Sequence, residues 1–253
     1  FHTELETVYE EKNINLDSDQ SLQYEQLFKD LFKRHAYGTQ TILGKTEHLK
    51  NPSLKAIRNY FNTYYVPNNM VLILSGDLNC DITIEMIDKH FGEMVKKEVP
   101  EYKYELEYPQ AKPREYSITG PQAESVLIGF RMRFRSEREK TLLKVVDLLL
   151  SNSEAGLIDL NLNKSQKVLS SYCTPQEMKD YSVHIFYGQP NTGQSLTEVK
   201  DLLLGELEKI KEGNFDTSLL QSLIANERIN NMKNYESNSG RAFTLLDVFS
   251  KET

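Results

Sequence analysis

The sequence predicts an α+β protein: an antiparallel-rich sheet with helices packed on one face, arranged as two domains of similar type. Three observations predict this. Apolar residues recur at helical spacing in several segments, as in Leu142, Leu143, Val146 and Leu150. Short apolar runs of strand length alternate with those segments, giving the order β-β-α-α-β-β-α-α beyond residue 115. Residues 95–114 break the pattern, with lysines, glutamates, tyrosines and prolines but no periodicity. The chain therefore divides into a first domain (1–94), a linker (95–114) and a second domain (115–253).

The elements follow in order. Glu4 to Asn13 contains neither Gly nor Pro and reads as helix. Asn15 to Asp19 is a loop, and Ser21 can cap a helix that buries Leu22, Leu27, Leu31 and Phe32 and runs to about His35. Ala36 to Leu49 is polar, with two glycines, and reads as an ordered loop. Pro52 and Ser53 open a helix bearing Leu54, Ile57, Tyr60, Phe61 and Tyr64. Val66 to Asn69 ends it, and the continuous apolar run Met70 to Asp77 predicts a buried strand. Cys80 to Glu93 returns to helix through Ile82, Ile84, Ile87 and Phe91. In the second domain, strands are predicted at Glu115–Thr119, Ser125–Phe134, Gln166–Cys173 and Tyr181–Tyr187. Helices are predicted at Glu137–Ser151 and Ala155–Asn163, then Thr197–Gly213 closed by its glycine, one capped by Asp216, and one from Arg241 to Ser250.

At 253 residues, 39% hydrophobic and 26% charged, the chain has an ordinary globular composition. A net charge of −7 argues against a nucleic-acid partner, which calls for a basic surplus. No apolar run approaches the ~20 residues of a membrane-spanning helix. Cys80 and Cys173 match no metal-ligand or disulfide spacing, and Cys173 with His184 reads as a chance pair. Tyr60, Tyr64 and Tyr65 read as packing residues. Arg131, Arg133, Arg135 and Arg138 read as the solvated face of a strand. The chain opens on Phe1, from which it is expected to begin inside a longer protein, leaving its compartment unreadable.

Glu4 and Glu11 are the candidate chemical groups. Seven residues apart, they share one helix face with Val8 between them, about 10 Å apart along the axis. That spacing lets one carboxylate bind a metal while the other works nearby. By these residues alone, a solvated acidic helix is the plainer reading, and the case for chemistry comes from the blocks downstream.

Several short blocks in fixed order carry a family resemblance. They are Tyr37 and Gly38; Leu43 and Gly44; Leu49; a helix ending in Tyr65, Val66, Pro67, Asn68, Asn69 and Met70; a strand entering Gly76 and Asp77; and a helix ending in Phe91 and Gly92. Residues 4–93 thereby resemble the insulinase (pitrilysin) family of inverted-motif zinc metallopeptidases, which includes the mitochondrial processing peptidases. The second domain resembles it through Leu127 to Phe130, a helix, and Gly156 with Leu157. The resemblance implies that family's fold, with both domains incomplete here. It also implies peptides or small unfolded proteins as substrates and Zn2+ as cofactor. Family members hold zinc through two histidines of His-x-x-Glu-His, whose glutamate is the general base, and through a later glutamate. The metal lowers the pKa of a bound water that attacks the peptide carbonyl. Glu11 is implied as that third ligand and Glu4 as the supporting carboxylate.

Two departures bound this implication. The chain holds five histidines, His2, His35, His48, His90 and His184, and none completes the motif. The nearest approach, His90 to Glu93, has Met94 in place of the second histidine. The chain alone is thus expected to be inactive and to bind zinc weakly. Compact members of the family also carry an Arg and a Tyr seven residues apart in the second domain, but here Tyr172 is preceded at that distance by Ser165. The implied parent is long, of four domains, with residues 115–253 a catalytically inactive domain whose partner is the remainder of the same polypeptide. The alternative is a non-peptidase homologue of the same fold that serves a structural or partner-binding role.

Overall fold

The computed structural model describes residues 1–134 and 136–252; Arg135, one of the four arginines above, lies outside them. The helices are α1 (His2–Leu16), α2 (Asp19–Leu31), α3 (Ala36–Thr39), α4 (Thr46–Lys50), α5 (Leu54–Tyr64) and α6 (Cys80–Phe91). Strand β1 (Val126–Met132) and α7 (Glu137–Leu150) follow, then a π-helical turn at Asp159–Lys164 where an ordinary helix over 155–163 was predicted. Strands β2 (Ser170–Glu177) and β3 (Ser182–Gln189) precede α8 (Leu196–Lys211), α9 (Ser218–Glu236) and α10 (Asn238–Glu252).

The chain forms two compact units. One joins residues 1–43 to 105–227, and the other joins 44–104 to 228–253. This partition by contact differs from the sequence division into 1–94, 95–114 and 115–253.

The first unit is built on an antiparallel sheet of order β1-β3-β2. Its register pairs Val126 with Gly188 and Cys173 with Phe186. Because side chains alternate across a strand, Val126, Ile128, Cys173 and Phe186 share one face. Leu150 of α7, Val199 and Leu203 of α8, and Ile158, Leu162 and Val168 pack onto that face and form the core. A Cβ on Gly188 would stand 2.5 Å from a Val199 methyl, so the closeness of α8 depends on glycine there. Helix α8 starts at a capping box between Ser195 and Glu198. It stops where Gly213 takes φ +69° and Asn214 N–H donates to the Lys209 carbonyl.

The opposite face of the sheet receives α2. A Cβ on Gly129 would meet Leu27 at 2.8 Å. The cap of α2 is Ser18, three residues earlier than predicted; its hydroxyl accepts from Ser21 N–H. The helix stops at Leu31 rather than His35, and the region read as a loop coils briefly into α3 and α4. The distal half of the expected linker is pinned to α2. The Asp30 carboxylate accepts from Arg114 at 3.1 Å and from Tyr116 at 2.7 Å, and Asp19 accepts from Gln122 N–H at 2.7 Å.

In the second unit two expectations about packing fail. Met70 to Asp77 forms no strand; Met70 has extended dihedrals, but no neighbouring strand among the described residues supplies a ladder. Its apolar side chains, expected to be buried, are exposed at Met70, Val71, Leu72 and Leu74. The apolar residues of α5 and α6 are also open, including Ile57, Phe61, Ile82 and Phe91. The strand predicted at Glu115–Thr119, in the first unit, is likewise absent, because that stretch binds α2 through side chains instead of pairing with the sheet.

Candidate functional site

Helix α1 presents Glu4 and Glu11 outward. Its inner side carries half-buried Leu5, Val8 and Tyr9 and the buried Lys12, whose ammonium lies 3.8 Å from Glu25 on α2. Glu4 and Glu11 are exposed, and among the described residues neither carboxylate pairs with a cation. Glu11 lies with Thr3, Glu6, Thr7, Glu10 and Ile14 around a shallow depression; Glu4 does not line it. The arrangement is one free carboxylate available to a metal and a second on the same face, two turns away.

A zinc centre needs three protein ligands, and among the described residues Glu11 belongs to no cluster of three ligand side chains. His2 stands at the start of α1 itself, about two and a half turns before Glu11, and the buried histidines are engaged elsewhere. His35 is buried, takes Tyr37 N–H on Nδ1 at 3.2 Å, and lies 3.2 Å from Asp180 through Nε2. His184 is buried against Asp147. This chain's residues therefore do not by themselves fit the zinc site that the family resemblance implies.

Tyr172 is fixed by packing. Its ring stacks on Tyr187 at 5.1 Å, and burial, followed by contact with Tyr24 of α2, pushes its phenol above the ordinary value. Arg131 corrects the reading of a solvated arginine face. Its side chain is 14% exposed, 3.4 Å from Glu107, and donates to the Leu31 and Tyr108 carbonyls. It points to the α2 side of the sheet, whereas Arg133 and Arg138 are exposed.

The structure corrects the reading of Cys173 and His184 as a chance pair, because strand register and α7 bring the two together with a third group. Asp147 of α7, Cys173 of β2 and His184 of β3 converge, all buried. Asp147 Oδ1 lies 2.9 Å from His184 Nε2 and accepts from the Cys173 thiol at 3.2 Å. Burial, and then the neighbouring Asp147 carboxylate, hold that thiol far above its ordinary range. A buried, protonated thiol is no nucleophile, so the trio is not a cysteine-protease site. The available sequence signal was Asp147 itself, an acid at the i+4 position between Leu143 and Leu150 on the core stripe of α7.

Comparison with known proteins places this geometry in a family. The model described as "Peptidase M16 inactive domain" matches residues 52–227. The chain is similar to the zinc protease PqqE of Helicobacter pylori, at 24% identity over 98% of this chain and 57% of the relative. Among solved structures, it is similar to a protease from Helicobacter pylori with a TM-score of 0.86, at 22% identity over 98% of this chain and 61% of that one. It is similar to a putative M16-like peptidase from Alicyclobacillus acidocaldarius with a TM-score of 0.77, at 15% identity over 99% of this chain and 60% of that one. At such identities the structural likeness speaks for the fold alone. The chain spans about three fifths of these relatives. With the family model covering well over half of its residues, the chain belongs to the M16 peptidase family, the insulinase/pitrilysin group, through the region described as that family's inactive domain.

Proposed function

We propose that this chain is part of a zinc metalloendopeptidase that hydrolyses peptides or small unfolded proteins. Glu11 is the third zinc ligand and Glu4 the supporting carboxylate. The observation that carries this reading is the pair itself: two exposed carboxylates on one face of α1, free of internal cations, on a helix whose other face is anchored to α2. Glu6 and Glu10 are exposed as well, so it is the seven-residue spacing of Glu4 and Glu11, which matches the family resemblance, that singles this pair out. The remaining ligands belong to the portion of the protein that this chain does not include, so the 253-residue chain alone is inactive.

In this reading residues 1–94 are the C-terminal half of a catalytic-type domain, 95–114 a linker, and 115–253 an inactive peptidase-like domain. The exposed apolar side chains of α5, α6 and Met70–Leu74 support the incomplete first half, since a surface of that kind calls for a covering layer.

Peptide hydrolysis by the full-length protein tests the two roles separately. Glu11→Gln is expected to lose the zinc ion that Glu11 ligates, and hydrolysis with it. Glu4→Gln is expected to keep zinc and lose about 100-fold or more in kcat, the scale of a positioned catalytic carboxylate. A full-length protein with no zinc dependent on Glu11 and no peptidase activity would instead be the non-peptidase homologue.

A further inference from the structure

We propose that Asp147, Cys173 and His184 form a buried structural site for a thiophilic divalent cation, Zn2+, separate from the one assigned to Glu11. The three side chains come from three elements of the same core. Cys173 opposes Phe186, and His184 opposes Pro175, so Cys173 and His184 are diagonal neighbours on one face of the β2–β3 pair. Asp147 reaches them from the inner stripe of α7. Their ligand atoms all lie within 4.8 Å of one another.

The geometry suits a small ion. A tetrahedral zinc with bonds of about 2.0–2.3 Å has ligand–ligand edges of about 3.3–3.6 Å. The two edges at Asp147 Oδ1, 2.9 and 3.2 Å, open to that range by a few tenths of an ångström. A thiolate, a carboxylate and a neutral imidazole bring two negative charges. A divalent cation cancels them, which a buried site requires. Sulfur and imidazole donors select zinc over magnesium or calcium. Binding displaces the thiol proton to solvent as the metal–sulfur bond forms, the His184 ring proton passes from Nε2 to Nδ1 so that Nε2 can ligate, and no redox change is involved. In the absence of the ion, Asp147 accepts from both neighbours, so the site is closed by hydrogen bonds. The ion would tie α7 to both strands of the hairpin.

The test uses the full-length protein and distinguishes this site from the Glu11 site. Glu11→Gln loaded with Co2+ is expected to keep one ion per chain and a thiolate-to-cobalt charge-transfer band in the near ultraviolet. The band is expected to survive Cys80→Ser in that background and to vanish in Cys173→Ser. X-ray absorption at the zinc edge of the unmodified protein needs no folded variant; it is expected to show a sulfur scatterer at about 2.3 Å. Absence of any sulfur shell, no charge-transfer band in Glu11→Gln, or a band that persists in Cys173→Ser would overturn the proposal. Loss of the Glu11 ion alone leaves it standing.

Discussion

Glu107 holds the turn after α2 together. Its carboxylate, 3% exposed, accepts from the backbone N–H groups of Arg34 at 2.6 Å and His35 at 2.8 Å and faces Arg131 at 3.4 Å. Burial alone would raise its pKa. The backbone donors and the Arg131 charge outweigh burial and hold it below the ordinary value of 4.5. A depressed folded-state pKa gives stability that is complete above the unfolded value and is lost as pH falls through the folded one. Glu107→Gln is therefore expected to cost about 1–3 kcal/mol at neutral pH, since an acceptor of buried donors is weakened. The same substitution should flatten the loss of stability below pH 4.5. Urea unfolding of both proteins across that range checks it; an unchanged acid limb removes Glu107 from this role. The residue scale also shows what sequence hides. The alternation through Arg131 showed that successive side chains face opposite ways, but not that α2, about a hundred residues earlier, covers Arg131's face. Glu4 and Glu11 were legible because a helix fixes the spacing of both within one segment. The trio at Asp147 was not, because its spacing is set by strand register and by the approach of α7.

At the scale of elements, helices capped by their own neighbours were read well, as were the three strands of the sheet in outline, while Met70–Asp77 and Glu115–Thr119 were read as strands and form none. Ser53 caps α5 by accepting from Ala56 N–H, and Gly213 ends α8, both within a few residues of the elements they bound. Met70 to Asp77 has strand composition but lacks the adjacent backbone that would make it one. The fit of α8 on β3 depends on Gly188, where an added methyl has nowhere to go because Val199 is fully buried. Gly188→Ala is expected to destabilise the first unit by about 1–3 kcal/mol through overpacking. Adding Val199→Ala should cost less in that background than in the unmodified chain, since the two changes share one space. Additive losses in denaturant melts would show that the contact does not limit the approach of the helix.

At the scale of the molecule, the two units differ in what they bury. The first has a continuous core of Leu150, Ile158, Leu162, Phe186, Val199 and Leu203. The second leaves the apolar sides of α5 and α6 in the open, and among its described residues Val66 is the buried hydrophobic one. The chain spans about three fifths of the relatives it matches. The family was legible from block order, and the α+β class from periodicity. The contact partition was not, because residues 105–116 bind α2 and the turn after it through side chains with no local signature. The central claim is that Glu11 contributes to a zinc site completed elsewhere in the same protein. The direct measurement is zinc per chain in the purified full-length protein and in its Glu11→Gln variant. One ion fewer per chain in the variant is the expected result. Equal zinc in the two proteins would contradict the assignment of Glu11.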